Sequence, residues 1–218
     1  TATASTSYIG TGVTVTITAS QGTVNYYALY KALHTLVYDA NGGSGAPAKS
    51  EAYGYYNSYP TQQNGQHTIS STVPTKTGYT FAGWALSTDG IVAYTDGAEV
   101  SNLTTVNNGT ATLYAKWTPN QYTVTLDKQT SAEGYGGNAG SVTDQTVTFD
   151  ATPATVSGSM PTAKNGWAFM GFYSAKDGGG RQFINPLSNW VTDAADTIRE
   201  SKWVHAGDVT LTAHYEKA

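Results

Sequence analysis

The stretch Pro74-Thr75-Lys76-Thr77-Gly78-Tyr79-Thr80-Phe81-Ala82-Gly83-Trp84 returns in altered form as Pro161-Thr162-Ala163-Lys164-Asn165-Gly166-Trp167-Ala168-Phe169-Met170-Gly171-Phe172-Tyr173. Two copies of one pattern make this a repeat protein, each copy marking one structural unit. Pro74 pre-sets φ, and Gly78 turns the chain into a strand. At strict period two, Phe81 and Gly83 fall on one face of that strand and Thr80, Ala82 and Trp84 on the other. A glycine inside a strand, here Gly83, marks a bulge or the close approach of a neighbouring group.

Outward from the motif, the first unit starts at His34-Thr35-Leu36-Val37-Tyr38-Asp39-Ala40-Asn41-Gly42-Gly43, a strand stopped by a turn in which Asn and Gly accept positive φ. A polar, tyrosine-rich stretch over 47–71 follows, read as a hairpin or a long ordered loop. Thr112-Leu113-Tyr114-Ala115-Lys116-Trp117 closes the unit, and Thr118-Pro119-Asn120 is the linker. The second unit repeats the order: Tyr122 to Asp127, then Gly166 to Tyr173, then Val209 to Tyr215. Spacing tests the match, since 127 − 39 = 88 and 171 − 83 = 88 for the landmarks Asp39/Asp127 and Gly83/Gly171. The closing strands are displaced by 211 − 113 = 98 for Leu113/Leu211. The second copy therefore holds about ten extra residues after its motif. These fall in Asn189 to Arg199, where Trp190, Ala194 and Ile198 at i, i+4, i+8 predict a short amphipathic helix.

Ahead of the first unit, Val13, Val15 and Ile17 alternate with Thr and give a half-buried strand. After a turn at Gln21-Gly22-Thr23, Val24 to Leu33 fits a strand or a short helix. The strand is preferred because Ala28-Leu29-Tyr30-Lys31 is similar to Leu113-Tyr114-Ala115-Lys116. Residues 1–33 then read as the strand-rich tail of a preceding unit, with 34–118 and 119–218 as the first and the divergent second repeat.

Composition bounds the function. Of 218 residues only 12% are charged, and Tyr occurs 16 times. A surface of hydroxyls and amides suits the cell exterior, and the β-branched and aromatic bias favours strands. With net charge −4 and 11 scattered Lys and Arg, the electrostatic term of a nucleic-acid binder is missing. Cysteine is absent, which removes disulfides and thiolate chemistry and leans towards a bacterial source. No apolar run reaches the ~20 residues that span a bilayer, and the start, Thr1 to Ser7, carries no leader-like pattern.

Three blocks, Tyr38-Asp39-Ala40-Asn41-Gly42-Gly43, then Pro74 to Trp84, then Leu113-Tyr114-Ala115-Lys116-Trp117, resemble in order and spacing the Listeria–Bacteroides repeat, also called the internalin B-repeat family. The likeness covers 34–117 well. Residues 121–216 fit a divergent member, with Asp127-Lys128-Gln129 in the turn block, Phe172 for the motif Trp and Tyr215 for the closing Trp. The resemblance implies mainly β (α+β) small units, tandem, β-grasp-like and ubiquitin-related, strung between other modules of bacterial surface proteins. It carries no catalytic residue.

The blocks also make sense as a core recipe. Leu36, Phe81, Trp84, Leu113 and Trp117 are the predicted core of the first unit, and Leu126, Phe169, Phe172, Leu211 and Tyr215 their counterparts. Burying one such side chain contributes about 1.5–3 kcal/mol, which matters in units this small. Gly78, Tyr79, Gly83, Gly166 and Gly171 complete the structural motif. Replacement of Trp84 by Phe172 keeps a ring and drops an indole donor, which suits packing better than a hydrogen-bonded site.

Chemistry finds little support. His34, His67, His205 and His214 lie apart, without metal-ligand spacing, and no Ser/His/Asp set or nucleophile elbow is present. Gly134 to Ala139 matches a dinucleotide-type glycine pattern, but the following Val142 to Phe149 reads as strand rather than helix. Asp193 and Asp196 read as solvated charge on the predicted helix. The expectation is a non-enzymatic, cofactor-free segment of an extracellular or cell-surface bacterial protein, monomeric within a longer chain, acting as a stalk. One alternative is an adhesin that binds a host-surface protein or glycan through Tyr53, Tyr55, Tyr56 and Tyr59, since tyrosine offers a large amphipathic area at low entropy cost. Another is an accessory domain of an extracellular enzyme.

Overall fold

The computed structural model describes residues 29–57, 67–101, 103–104, 106, 108–192, 198–199 and 201–218, with side chains left out at 29–33 and 52–57. The strand and turn expected over residues 8–28 lie outside the described residues. The fold is mainly β. The first unit contains β1 (Leu29–Asp39), β2 (Ser50–Asn57), β3 (His67–Thr68), β4 (Tyr79–Ala85), β5 (Val92–Tyr94), β6 (Glu99–Val100) and β7 (Thr110–Pro119). The second contains β8 (Gln121–Asp127), β9 (Gln145–Thr148), β10 (Trp167–Tyr173), β11 (Gln182–Ile184), β12 (Ile198–Arg199), β13 (Lys202–Trp203) and β14 (Val209–Lys217), with a 3-10 turn at Lys176–Gly178. β1 starts at Leu29, ahead of the boundary expected at His34, and runs unbroken across it.

Each unit builds one five-stranded mixed sheet, β2-β1-β7-β4-β5 in the first and β9-β8-β14-β10-β11 in the second. The first and last strands pair in parallel at the centre, Tyr38 opposite Leu113 and Leu126 opposite Leu211. The registers superpose under the sequence offsets. Phe81 pairs Trp117 as Phe169 pairs Tyr215, and Tyr79 pairs Pro119 as Trp167 pairs Lys217.

Both motif strands carry a bulge at the same place. The register shifts between Phe81 and Gly83 and between Phe169 and Gly171. Gly83 and Gly171 have φ of 139° and 112°, where an L side chain is strained. Each glycine also sits against the strand beside it, since a Cβ would lie 2.5 Å from Val92 Cγ1 or 2.2 Å from Ile184 O. The extra residue corrects the period-two expectation for the motif. Phe81 and Trp84 do not face opposite ways, because the bulge resets the alternation. Their rings meet edge to face at 5.1 Å, and those of Phe169 and Phe172 at 5.5 Å.

The helix expected over 189–199 is corrected at both ends. Trp190 makes an isolated bridge to Ile184, and Ile198 pairs with Trp203 in the two-stranded β12–β13 ribbon. Residues 193–197 lie outside the described residues. Apolar residues four apart fit a strand-turn-strand excursion as well as a helix, and here Ile198 and Trp203 are fully buried. The ribbon helps to cover the second sheet. The β3–β6 pair adds to the first core, contributing Val100 next to buried Ile69.

Trp84, Leu36 and Leu113 are fully buried in the first core, with Phe81 and Trp117 half-buried against it. Phe172, Leu211, Leu126 and Tyr215 are buried in the second, with Phe169 half-buried. The two closing rings end alike. Trp117 Nε1 donates to Ala40 O at 3.0 Å and to Asn41 O at 3.2 Å, and Tyr215 Oη donates to Lys128 O at 2.9 Å. Ala40 and Lys128 are 88 apart (128 − 40), so the copy keeps a donor for the same carbonyl. Burial pushes the Tyr215 hydroxyl up to about 12. Trp84 Nε1, by contrast, is buried with no acceptor. That is the indole the copy replaces with Phe172.

Candidate functional site

The motif turn lies where the two units meet. Tyr79 N–H donates to Lys76 O at 3.1 Å with Gly78 at φ 77°, a turn whose third position requires positive φ. The turn is held to the first unit by Ser44 and Thr75, whose amides donate to each other's carbonyls at 2.9 Å. Between the end of β7 at Pro119 and the start of β8 at Gln121 only Asn120 intervenes. Asn120 N–H donates to Gly78 O at 2.9 Å, Phe149 N–H donates to Asn120 O at 2.9 Å, and Thr80 Oγ1 donates to Asn120 Oδ1 at 2.7 Å.

Phe149, one residue past β9, lays its ring over Gly78. A Cβ added there would sit 2.3 Å from the ring, and Gly78 is buried. Tyr79 meets Phe149 edge to face at 5.3 Å, and its hydroxyl donates to Asp150 Oδ2 at 2.9 Å. Lys202 reaches Asp150 Oδ1 at 3.1 Å. The Lys202 ammonium first, and the Tyr79 hydroxyl second, hold the Asp150 carboxyl below its ordinary range. Desolvation and then the bond to Asp150 raise the Tyr79 hydroxyl.

Beside this joint opens a cleft of about 970 Å³, with Gly43, Pro74, Lys76, Tyr79, Trp117 and Phe149 in its wall. Lys76 Nζ stands 4.4 Å from the Tyr79 ring centre and 6.0 Å from that of Trp117. Such a wall stacks and attracts, but it brings no nucleophile and base together.

Of the tyrosines singled out in sequence, Tyr53, Tyr55 and Tyr56 fall in β2, an edge strand of the first sheet, opposite Leu33, Lys31 and Tyr30. Tyr59 lies outside the described residues. Among the described residues no three His, Asp or Glu side chains gather as metal ligands, and no helix is long and apolar enough to cross a membrane. His34 and His67 are buried, with Ser50 Oγ 3.1 Å from His67 Nδ1. Burial, and secondarily the charge of His34, lowers the His67 pKa. His214 Nε2 lies 2.9 Å from Glu216 on the surface of β14. Sequence reading missed Phe149 and Asp150, because neither belongs to a repeated block. The signal was a large ring directly after the alternating Thr146-Val147-Thr148.

Among known proteins, the chain is similar to Internalin H of Listeria monocytogenes serovar 1/2a (strain ATCC BAA-679 / EGD-e), 33% identical over 111 residues. The match covers 50% of this chain and 16% of that protein, so the chain spans a small part of its relative's length. No solved structure matches. Residues 34–116 match the family profile of the Listeria-Bacteroides repeat domain, the span that runs from β1 through the motif strand into β7. Over that segment the chain is similar to the Listeria-Bacteroides repeat domain.

Proposed function

We propose that the chain is a non-enzymatic stalk segment of a bacterial cell-surface or secreted protein, which holds an adhesive domain away from the envelope. The observation that carries this reading is the joint. One residue, Asn120, separates the closing strand of one unit from the opening strand of the next, and its backbone and side chain are tied on both sides. A flexible Gly/Ser linker lets modules swing, whereas a linker hydrogen-bonded at both carbonyl and amide transmits direction. Similarity to an internalin and the repeat-domain match support the surface setting. Parallel pairing of first and last strands at the sheet centre supports a β-grasp-like ancestry for each unit.

The test replaces the segment, within the parent protein on the cell surface, by an unrelated rigid rod of equal length or by a Gly/Ser linker. Adhesion restored by the rod and not by the linker is expected. Adhesion lost with both replacements would sink the spacer reading in favour of direct binding.

A second reading, binding of a host-surface protein or glycan, draws on the Trp, Tyr and Lys wall of the cleft and on the tyrosines of β2. Tyr55→Ala with Tyr59→Ala should then abolish adhesion at unchanged melting temperature. Loss of stability with unchanged adhesion removes those tyrosines as a site.

A further inference from the structure

The two units treat the outer edge beside the motif strand differently. In the second unit the edge strand β11 is covered by the chain that follows it. Val191 N–H donates to Phe183 O at 2.9 Å, Asn185 N–H donates to Asn189 O at 3.0 Å, and Trp190 bridges Ile184 in antiparallel sense. The counterparts in β5 follow from the register. Tyr94 opposes Trp84 as Ile184 opposes Phe172, and Val92 opposes Ala85 as Gln182 opposes Tyr173, so Ala93 takes the place of Phe183 and Thr95 that of Asn185. The backbones agree in detail, since a Cβ on Gly83 would lie 2.9 Å from Tyr94 O and one on Gly171 2.2 Å from Ile184 O. Among the described residues neither Ala93 O nor Thr95 N–H has a hydrogen bond outside the β4–β5 ladder. The first unit lacks the extra residues with which the second folds back on its own edge.

The side chains along the two edges differ in a matching sense. Leu86, Ile91 and Val92 stand in the first unit where Ser174, Arg181 and Gln182 stand in the second, and all three are exposed, Ile91 by 87%. Edge strands left to water are commonly guarded by charge or proline. Residues 91–95 carry neither, and acidic groups stand at both ends instead, Asp89 in the turn before β5 and Asp96 in the turn after it, both exposed.

We propose that the β5 edge is a docking site for an extended segment of a partner protein, which adds a strand antiparallel to β5. The segment that closes β11 gives the occupant its chemistry. Its backbone offers an N–H to Ala93 O and a carbonyl to Thr95 N–H, and an aromatic residue next to a β-branched one, as Trp190 precedes Val191, meets the apolar side chains at Ile91 and Val92. Basic residues at its two ends face Asp89 and Asp96. A second copy of this chain is a poor occupant, because antiparallel pairing of two β5 strands about Ala93 sets Asp89 of one beside Asp96 of the other, and like charges there are destabilising. The site lies on the opposite edge of the sheet from the β2 tyrosines and uses no residue of the joint, so it stands independently of the stalk reading.

The probe is a synthetic peptide of residues 188–192 with a lysine added at each end and both termini blocked, titrated into the isotope-labelled full chain and followed by nuclear magnetic resonance. Saturable amide shifts confined to residues 85–96 are expected, with exchange of the Thr95 amide slowed about fivefold at saturation. Thr95→Pro, which removes the donor, should weaken binding about tenfold. If that variant fails to fold, Asp89→Lys with Asp96→Lys, both in exposed turns, should weaken it about fivefold. The same peptide with serine in place of its tryptophan and valine should not bind.

Absence of saturable shifts at millimolar peptide overturns the proposal. So do shifts centred outside residues 85–96, affinity indifferent to both variants, or equal binding of the serine peptide. Protection of Thr95 that rises with chain concentration in the absence of peptide also overturns it, and marks a second copy as the occupant.

Discussion

Gly78→Ala and Gly166→Ala form a matched pair. Both glycines have φ 77°, so each alanine bears the same left-handed strain of about 1–2 kcal/mol. Only the Cβ at Gly78 collides, at 2.3–2.5 Å from three carbons of the Phe149 ring. Carbon atoms pack at ~3.5–4.0 Å, so the ring must retreat by more than about 1 Å. Retreat forfeits the edge-to-face contact with Tyr79, worth about 0.5–1.5 kcal/mol. It also strains the Phe149 N–H to Asn120 O bond, worth a further ~0.5–1.5 kcal/mol. Gly78→Ala should therefore cost about 1–3 kcal/mol more than Gly166→Ala. For 2 kcal/mol in a chain of this size the melting point falls by a further ~4–8 °C. Calorimetry is the assay of choice, because a broken joint should also separate one transition into two. Equal costs for the two substitutions would refute the reasoning, since the strain is shared and only the contact differs.

Trp84→Phe should change stability by less than ~1 kcal/mol, because a cavity of roughly 40 Å³ costs about 1 kcal/mol while an unpaired buried donor worth ~1–3 kcal/mol is removed. Trp117→Phe gives up two backbone acceptors and should cost more in the same urea titration, while Trp117→Tyr, the residue of the second copy, should cost less than Trp117→Phe. His67 binds its proton less readily folded than unfolded. Its contribution is therefore full above the unfolded value of 6.5 and is lost as pH falls below it; His67→Gln should flatten stability between pH 7 and 5. Asp150, held low by Lys202 and Tyr79, contributes above its unfolded value of 3.8 and loses that as pH falls through its lower folded value; Asp150→Asn should leave stability at pH 7 slightly reduced and shrink the further loss on acidification, read by denaturant midpoints.

The recurrence of the opening, motif and closing strands was legible because the landmarks Asp39/Asp127 and Gly83/Gly171 share one offset, whereas the order of the strands within each sheet was not, because pairing partners leave no spacing signal. Alternation failed inside the motif, where the bulge before Gly83 and Gly171 inserts a residue that no period-two rule anticipates. The helix over 189–199 was misread for a related reason. Trp190 and Ile198 are buried or bridged by long-range partners, Ile184 and Trp203, whose positions the local spacing does not encode. Trp203, fully buried, was invisible because Lys202-Trp203 belongs to no repeated block. The joint was hidden too. Gly78 reads in sequence as a turn glycine, and only the fold shows that a ring from the next unit also needs the space.

The central claim is that Phe149 and Asn120 make the two units one rigid body. Since the native chain has no cysteine, Asp89→Cys and Lys176→Cys, both at exposed turns of different units, give a unique spin-label pair. A single narrow distance distribution that broadens on Phe149→Ala is the expected result. A broad distribution in the otherwise native chain, or a width indifferent to Phe149, contradicts the account.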